Sequence, residues 1–277
     1  MYAYPILNQQ QFSFQQKVQD RLAELGRWGL QLLGDHGRWG LFILRSFLGI
    51  FSAPYKLFPT IKEIRIIGVE SLSIVVFTGL FTGMVLGLQG YTTLKRFGSE
   101  GILGQGVAVS LLSELGPVLT ALLLTGRAGS SLCAEIGVMR ISEQIDALEC
   151  MAIDPFNYLI SPKLSASVIS TPILSFTFSL VGILGGFIAG VLILGVSAGS
   201  YYDGIVKAID YKLIRMCMVK SIVFSIIMVT YCAHKGFCVY RQKTKGAMGV
   251  SKATTDAVVF TSVNVLLWDY LLTSILL

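Results

Sequence analysis

The stretch GRAGSSLCAEIGVMRISEQIDALECMAIDP, residues 126–155, is a charged interruption between two long apolar runs. Apolar residues dominate the rest of the chain: of 277 residues, 53% are hydrophobic and only 14% are charged, with a mean hydropathy of +0.69. A soluble domain of this size would not stay in solution with such a composition. The composition therefore predicts a polytopic membrane protein, in which the quoted stretch is a polar element with a purpose of its own.

Segments long enough to cross about 30 Å of hydrocarbon occur five times along the chain. They are residues 66–88, 102–125, 160–196, 214–234 and 253–277. The third is longer than one span needs and carries Pro162 and Pro172 in its first half, so we expect tilt, a kink or an interfacial lead-in there. The predicted fold is all-α, a polytopic membrane protein with about five transmembrane helices.

Residues 1–65 form an N-terminal segment ahead of the transmembrane domain, residues 66–277. Within it, GRWGLFILRSFLGIF (37–51) mixes aromatic residues with Arg38 and Arg45, which suits a helix lying in the headgroup region. The alternative, a sixth span, would place Arg45 near its centre at a cost of about 2.5–3.5 kcal/mol. The first 20 residues are polar and glutamine-rich, so we expect no signal peptide, and the lack of an Arg/Ser-rich transit peptide favours a bacterial source.

Lysines and arginines set the expected topology. Eight lie before residue 66, two in 89–101, three in 126–163, three in 197–215 and five in 235–252. By the positive-inside tendency, the N-terminus, the 126–163 loop and the 235–252 loop are cytoplasmic and the C-terminus is outside. The net charge of +6 then indicates contact with anionic headgroups and not with nucleic acid, because no basic patch is interleaved with aromatic residues.

Residues able to carry catalysis or hold a cofactor are scarce. The five cysteines show no metal-ligand spacing, and the two histidines, His36 and His234, lie in loops or at span ends. No glycine-rich phosphate loop with its lysine is present. We therefore expect no metal, no cofactor bound by this chain and no enzymatic activity of its own, so that any ATP it uses is bound by another chain.

Two glycine runs with a spacing of four predict close helix packing. One run is Gly79, Gly83 and Gly87 in the first span, and the other is Gly182, Gly186 and Gly190 in the third. Each run leaves a groove along one helix face, and such grooves let membrane helices approach closely. The two runs favour a tightly packed and possibly dimeric bundle.

Three ionisable residues, Glu114, Lys220 and Asp269, lie inside the predicted spans, where an unpaired charge is costly. Glu114 stands just ahead of Gly116 and Pro117, where proline predicts a kink beside the carboxylate. Lys220 lies about six residues inside its span, so its side chain can snorkel to the surface. Asp269 can pair with a basic residue of another helix. Such carboxylates would also suit an ion-coupled carrier, although no chain of titratable groups or inverted repeat is detectable.

The opening stretch itself has helical periodicity. Its apolar residues recur at spacings of three and four, and its acids at spacings of three: Val138, Ile141, Ile145, Leu148 and Ala152, with Glu143, Asp146 and Glu149. Ser142 can cap a helix that begins at Glu143, and Asp154-Pro155 provides a stop. The pattern predicts a short amphipathic helix on the cytoplasmic surface, with one face on the bundle and the other free for a partner.

At these residues the sequence resembles the MlaE (YrbE-type) permeases, the membrane subunits of ABC systems that move phospholipids or related lipids between the inner and outer membranes of Gram-negative bacteria. The resemblance covers about residues 35–277. The matching motifs are SELGPVLTALLLTGRAGSSLCAEIGVMRISEQIDALECMAIDP, LISPKLSASVISTPIL, VKSIVFS and GVSKATTDAVV. The first is long, with polar residues in fixed places, and is highly specific.

The resemblance implies a homodimer in the bacterial inner membrane, two ABC ATPase subunits that bind ATP and Mg, and a periplasmic MCE-type substrate-binding partner. It implies that the segment around 143–151 is the ATPase-coupling helix, through Glu143, Gln144, Ile145, Asp146, Leu148, Glu149 and Met151. It also implies a lipid cavity between two protomers, lined largely by the first, second and fifth spans. Our hypothesis is that Glu114, Gly116 and Pro117 shape the cavity, while Lys220 and Asp269 stabilise helix contacts or a gate. The competing interpretations are an ion-coupled secondary carrier and a structural membrane scaffold.

Overall fold

The structure, a computed structural model, describes residues 26, 34, 37, 39–49, 57–241 and 246–276. Over these residues the chain is helical and contains no strand, as the all-α prediction requires. The helices are α1 (Trp39–Gly49), α2 (Leu57–Ile67), α3 (Leu72–Lys95), α4 (Leu103–Ser110), α5 (Gly116–Leu124), α6 (Ser130–Ile141), α7 (Gln144–Cys150), α8 (Ser161–Phe187), α9 (Ala198–Ala208), α10 (Tyr211–Phe237) and α11 (Ala247–Leu276).

Five helical runs in the described residues are long and apolar enough to cross a membrane. They are Leu57–Lys95, Glu100–Ile141, Phe156–Ile193, Tyr211–Phe237 and Ala247–Leu276, and we call them spans 1 to 5. The five-span prediction is confirmed, but every helical run begins before its predicted first residue, and spans 1, 2 and 4 also end after their predicted last residue. Span 2 has 42 residues, about 63 Å at 1.5 Å per residue, so it extends well beyond the hydrocarbon.

The long helices of spans 2 and 3 contain π-helical segments where the hydrogen-bond register widens. Span 2 has two, Leu111–Leu115 and Thr125–Gly129, and span 3 has one at each end, Phe156–Ile160 and Ile188–Ile193. Pro117 lies just after the first of them, where a missing backbone donor is tolerated. The Leu111 carbonyl there accepts both the Gly116 amide and, at 3.2 Å, the Ser179 hydroxyl of span 3.

The glycine runs pack against each other within one chain. Gly79, Gly83 and Gly87 of α3 face Phe178, Gly182 and Gly186 of α8. A Cβ atom at Gly83 would overlap the carbonyl oxygen of Gly182, so only glycine permits this approach. The close packing predicted from these runs is therefore found between spans 1 and 3, and it offers no groove to a second copy.

The N-terminal segment differs from its predicted boundary. Helix α2 begins at Leu57 and continues through a short 3-10 turn, Val69–Ser71, into α3, so the helical run of span 1 starts nine residues before residue 66. Helix α1 has 11 residues, too few to cross a bilayer. Most of residues 1–38 lie outside the described residues, so the interfacial placement of that segment stays a prediction.

Helix α9 lies in the segment that connects spans 3 and 4. Tyr201 is buried there, with its ring 5.7 Å from that of Phe187 and its hydroxyl donating to the Ile183 carbonyl at 2.9 Å. Burial raises the pKa of the Tyr201 phenol to about 12. Because spans 2 and 3 run in opposite directions, α7 and α9 lie at opposite ends of the bundle.

Candidate functional site

Helix α7 is shorter than predicted and is set off from span 2 by a sharp turn. Glu143 and Ala152, on either side of it, both have a φ of 59°, the left-handed conformation. Ser142 does not cap α7 as predicted; its hydroxyl donates back to the Val138 carbonyl at 2.8 Å and so closes α6. The residues from 126 to 141, expected to be loop, continue span 2 as helix.

The turn at residues 142–143 also makes the predicted continuous apolar stripe wrong. Val138 and Ile141, before the turn, are exposed, whereas Ile145, after it, is fully buried. The left-handed residue rotates the chain between the two helices, so residues on its two sides no longer share one face. Only the part from Ile145 to Leu148 packs inward, Leu148 being partly buried.

Helix α7 is held firmly by the ends of spans 2 and 4. Arg140 Nη1 donates to Asp146 Oδ1 at 2.6 Å, and the Arg140 guanidinium lies over the rings of Phe237 and Tyr240 at 5.0 and 5.1 Å. Cation–π contacts and an ion pair at one guanidinium fix its position. Together with buried Ile145, these contacts attach α7 to the ends of spans 2 and 4, with its outward side projecting from them.

The outward side of this projection is largely charged or polar. Of the predicted coupling residues, Glu143, Gln144, Asp146, Glu149 and Met151 are exposed. Asp146 is engaged by Arg140, so its charge serves the internal anchoring. The exposed face offers acids and one large apolar side chain, Met151, which is 68% exposed. Such a face is available for docking another protein.

The three charges predicted inside the membrane come together in one cluster, which we call the Lys220 cluster. Lys220 Nζ donates to Glu114 Oε2 at 2.5 Å, to Asp269 Oδ1 at 2.8 Å and to Thr273 Oγ1 at 2.7 Å. These bonds use all three ammonium donors. The cluster joins spans 2, 4 and 5 at one point, with two acids around one cation.

The predicted snorkelling of Lys220 is wrong. Its side chain is 0% exposed and points into the bundle. Span 4 begins at Tyr211, so Lys220 lies about 14 Å along the helix axis from its start. At that depth its ammonium group binds the two nearby acids instead of extending to the surface. Asp269, in contrast, pairs as predicted with a basic residue of another helix, Lys220 of span 4.

Glu114 also borders a cavity of about 380 Å³. Most of its lining surface is apolar, although four of the seven lining residues are polar or charged: Val109, Ser113, Glu114, Asp210, Lys212, Leu213 and Met216. The Glu114 side chain keeps 36% of its surface exposed, although one of its oxygens is bonded to Lys220. The geometry therefore places a carboxylate between a buried ion cluster and an open cavity, and Gly116 and Pro117 form the helix turn that follows it.

A second charge cluster was missed by the sequence analysis. Lys163 Nζ donates to Glu63 Oε1 and Glu135 Oε2, both at 2.8 Å, and joins α2, α6 and α8. We call this the Lys163 cluster. Lys163 was counted with the 126–163 loop, although the predicted third span, residues 160–196, also includes it. Its place at the start of that span was the available signal, because a charge there needs a partner.

Arg127, also counted as a loop residue, binds the junction between α2 and α3. Its Nη1 donates to Ser71 Oγ at 2.7 Å and to the Ile66 carbonyl at 3.0 Å, and its Nη2 pairs with Glu70 Oε2 at 2.7 Å. In the described ranges, no group of three or more histidine, cysteine or acidic residues is arranged to hold a metal ion. The described residues therefore hold two buried ion clusters, a cavity and a projecting helix.

A five-span helical bundle with buried ion clusters, a cavity beside one of them and a rigid projecting helix is the architecture of a membrane permease. Residues 60–275 match the family model for Permease MlaE. The chain therefore belongs to the MlaE permease family.

Individual relatives agree over most of their length. The chain is 44% identical over 224 residues to the Intermembrane phospholipid transport system permease protein MlaE of Haemophilus influenzae, covering 80% of this chain and 84% of that protein. It is 36% identical over 251 residues to a Probable ABC transporter permease protein of Rickettsia bellii, covering 91% and 95%. It is also 32% identical over 215 residues to Protein TRIGALACTOSYLDIACYLGLYCEROL 1, chloroplastic, of Arabidopsis thaliana, covering 78% and 60%.

Proposed function

We propose that this chain is the membrane-spanning subunit of an ATP-driven ABC transporter that moves phospholipids or related lipids between the inner and outer membranes of a bacterium. Membership of the MlaE family supports this function, as does similarity to a Haemophilus influenzae permease whose name specifies intermembrane phospholipid transport. The ATPase activity resides on a separate subunit that binds ATP and Mg.

The observation that carries the proposal is the rigid mounting of α7. A helix that transmits motion must move as a unit with the spans, and Arg140 and Ile145 fix α7 to them. Its exposed residues Glu149 and Met151 then contact the ATPase. A loop without such anchoring would absorb the motion of the ATPase instead of passing it to the bundle.

The lipid path uses the cavity beside Glu114, which is lined by residues of span 2 and of the start of span 4. Its apolar walls suit acyl chains, and Glu114, shaped by the turn at Gly116 and Pro117, provides a polar edge. The Lys220 cluster holds spans 2, 4 and 5 together at the same point, so Lys220 and Asp269 stabilise the cavity or act as its gate. The lipid cavity between two protomers, lined by the first, second and fifth spans, stays a prediction.

The complete transporter contains two copies of this chain and a periplasmic MCE-type partner. The N-terminus and α7 face the cytoplasm, and α9 and the C-terminus face the periplasm. The distribution of lysine and arginine supports this orientation. An ion-coupled carrier would need no ATPase, and a scaffold would need no lipid, so the identity of the bound molecules separates the three functions.

The first test is purification of the tagged chain from its native cell in mild detergent, with mass spectrometry of co-purifying proteins and lipids. The expected result is an ABC ATPase, an MCE-type protein and phospholipid. A chain that carries neither ATPase nor lipid contradicts the proposal.

A charge reversal tests the docking role of α7. Glu149→Arg changes an exposed residue without an internal ion pair and should lower ATPase capture by about tenfold, the loss of one interface charge contact. Asp146 is unsuitable because it pairs with Arg140. Asp203→Arg, exposed on α9 at the other end of the bundle, is the matched control and should leave capture unchanged.

A further inference from the structure

The two helices that flank α7, α6 before it and α8 after it, are joined by an ion pair. Glu135 lies in α6, before α7, and Lys163 lies in α8, after it, and their side chains meet at 2.8 Å. We call residues 130–163 the coupling hairpin. Arg140 ties α7 to α6 and Lys163 ties α6 to α8, so these two ion pairs connect α7 to both arms of the hairpin.

The same lysine connects the hairpin to span 1. Lys163 Nζ also donates to Glu63 Oε1 of α2 at 2.8 Å, and the lysine side chain is only 6% exposed. Glu63 is itself only 16% exposed, so its contact with the buried ammonium group is costly to open, because neither charge would regain water fully. This ammonium group therefore ties α2 to the hairpin, in addition to the apolar packing of Ile64 and Ile67 of α2 on Ala166 of α8.

The break between α2 and α3 in span 1 is bound by a second cation, Arg127. Between α2 and α3 lies the 3-10 turn Val69–Ser71, and Arg127 contacts Ile66, Glu70 and Ser71 around it. Gly68 at this turn packs closely on span 3, since a Cβ there would lie 3.0 Å from Ser170 Oγ. Two cations thus bind span 1 near its break: Lys163 binds α2, and Arg127 binds the turn itself.

We propose that Lys163 and Arg127 are positioning residues that pass the motion of α7 to span 1, with the Glu135–Lys163–Glu63 cluster as the connection between the coupling hairpin and α2. This inference rests on the proposed function, in which α7 receives that motion from an ATPase. The mechanical route runs from α7 through α6 to Lys163, then to α2, and across the 3-10 turn to α3. Span 1 moves because α2 is pulled, without direct contact between α2 and the ATPase.

The cluster offers variants that test the connection without unfolding the bundle. Glu135→Gln removes the link from Lys163 to α6, and Glu63→Gln removes the link to α2, yet in each variant Lys163 keeps one carboxylate partner. Glu135 is half exposed, so its neutralisation costs little stability. Asp203→Asn, an exposed acid on α9, is the matched control.

The experiment uses the complete transporter, with its ATPase, in phospholipid vesicles and measures lipid transferred per ATP hydrolysed. Glu135→Gln and Glu63→Gln should each lower this ratio about tenfold, the size of an ordinary coupling between sites, while ATP hydrolysis stays within about twofold. Lys163→Arg, which keeps a cation able to bridge two acids, should restore most of the ratio that Lys163→Met loses. An unchanged ratio in both glutamine variants overturns the proposal, as does a loss that only follows the amount of folded protein.

A second readout does not depend on lipid transfer. A spin label at Ile61→Cys, exposed on α2, reports whether α2 moves when ATP binds, in a background where Cys150 and Cys238 are serine. We expect a nucleotide-dependent spectral change in the otherwise unaltered transporter and its loss in Glu63→Gln. An α2 that does not respond to ATP overturns the inference, whereas a responding α2 without lipid transfer would contradict only the proposed cargo.

Discussion

The two buried lysines of this chain, Lys220 and Lys163, each bridge two carboxylates, but they do so in different surroundings. Lys220 is fully buried and joins three membrane spans beside a cavity, and its partners Glu114 and Asp269 are 36% and 19% exposed. Lys163 is also buried, yet one of its partners, Glu135, is half exposed, and it joins the coupling hairpin to α2. The same arrangement of charges therefore serves as a fixed point in one place and as a link between separate elements in the other.

The difference in exposure explains the difference in role. A cation enclosed by low-dielectric packing depends on its acids, because water cannot replace them. Where one acid is half exposed, as Glu135 is, the two charges can shift relative to each other at a smaller cost while the pair stays in contact. The Lys220 cluster suits a rigid core, and the Lys163 cluster suits an element that has to change position.

The largest effect is expected from Lys220→Met. The substitution leaves Glu114 and Asp269 facing each other without a cation and should cost about 3–5 kcal/mol of stability. Thermal unfolding of the detergent-solubilised protein measures it, with Lys207→Met, exposed on α9, as the control. A loss equal to that of the control would show that the cluster does not hold the spans together.

Lys163→Met should have a smaller effect in the same assay, about 2 kcal/mol. Its partner Glu135 is 51% exposed and regains water when the lysine is lost. The loss of stability therefore comes mainly from Glu63, which stays buried without a cation. If Lys163→Met destabilises the protein as much as Lys220→Met, the two clusters do not differ in the way their exposure indicates.

The predictability of the two clusters from sequence also differs. Glu114, Lys220 and Asp269 interrupt apolar runs, so they could be recognised one by one. Their mutual contacts could not be predicted, because the partners of Lys220 are 106 and 49 residues away. Snorkelling was expected because the predicted start of span 4, residue 214, was three residues late.

The burial of Lys163 was not predicted because hydropathy detects only the apolar part of a helix. The polar continuation of span 2 through Ile141 carries no apolar run, so residues 126–163 appeared to be one loop. The amphipathic helix near 143–151 was predicted in its position, while its left-handed start at Glu143 has no local sequence signal such as glycine. The five spans were predictable because their hydrophobicity is a local property.

The smallest effect is a dependence on salt. The difference in stability between the natural protein and Glu135→Gln should be about 0.5 kcal/mol at 0.1 M salt and shrink at 1 M, where the screening length falls to about 3 Å. The corresponding difference for Asp269→Asn should stay constant, since its ion pair is enclosed. Equal salt sensitivity of the two differences would remove the distinction between an enclosed and an accessible cluster.

The central claim, that α7 receives an ATPase, is tested most directly by cross-linking from α7 in native membranes. Cys150 is an exposed free thiol at the end of α7, whereas Cys133, Cys217 and Cys232 are buried, and Cys238 can be replaced by serine. A thiol-directed photo-cross-linker on Cys150 should yield a covalent adduct with an ABC ATPase, and the same reagent on Tyr202→Cys of α9, in a Cys150→Ser background, should yield none. Absence of the ATPase adduct at Cys150, or an equal adduct from α9, would contradict the account.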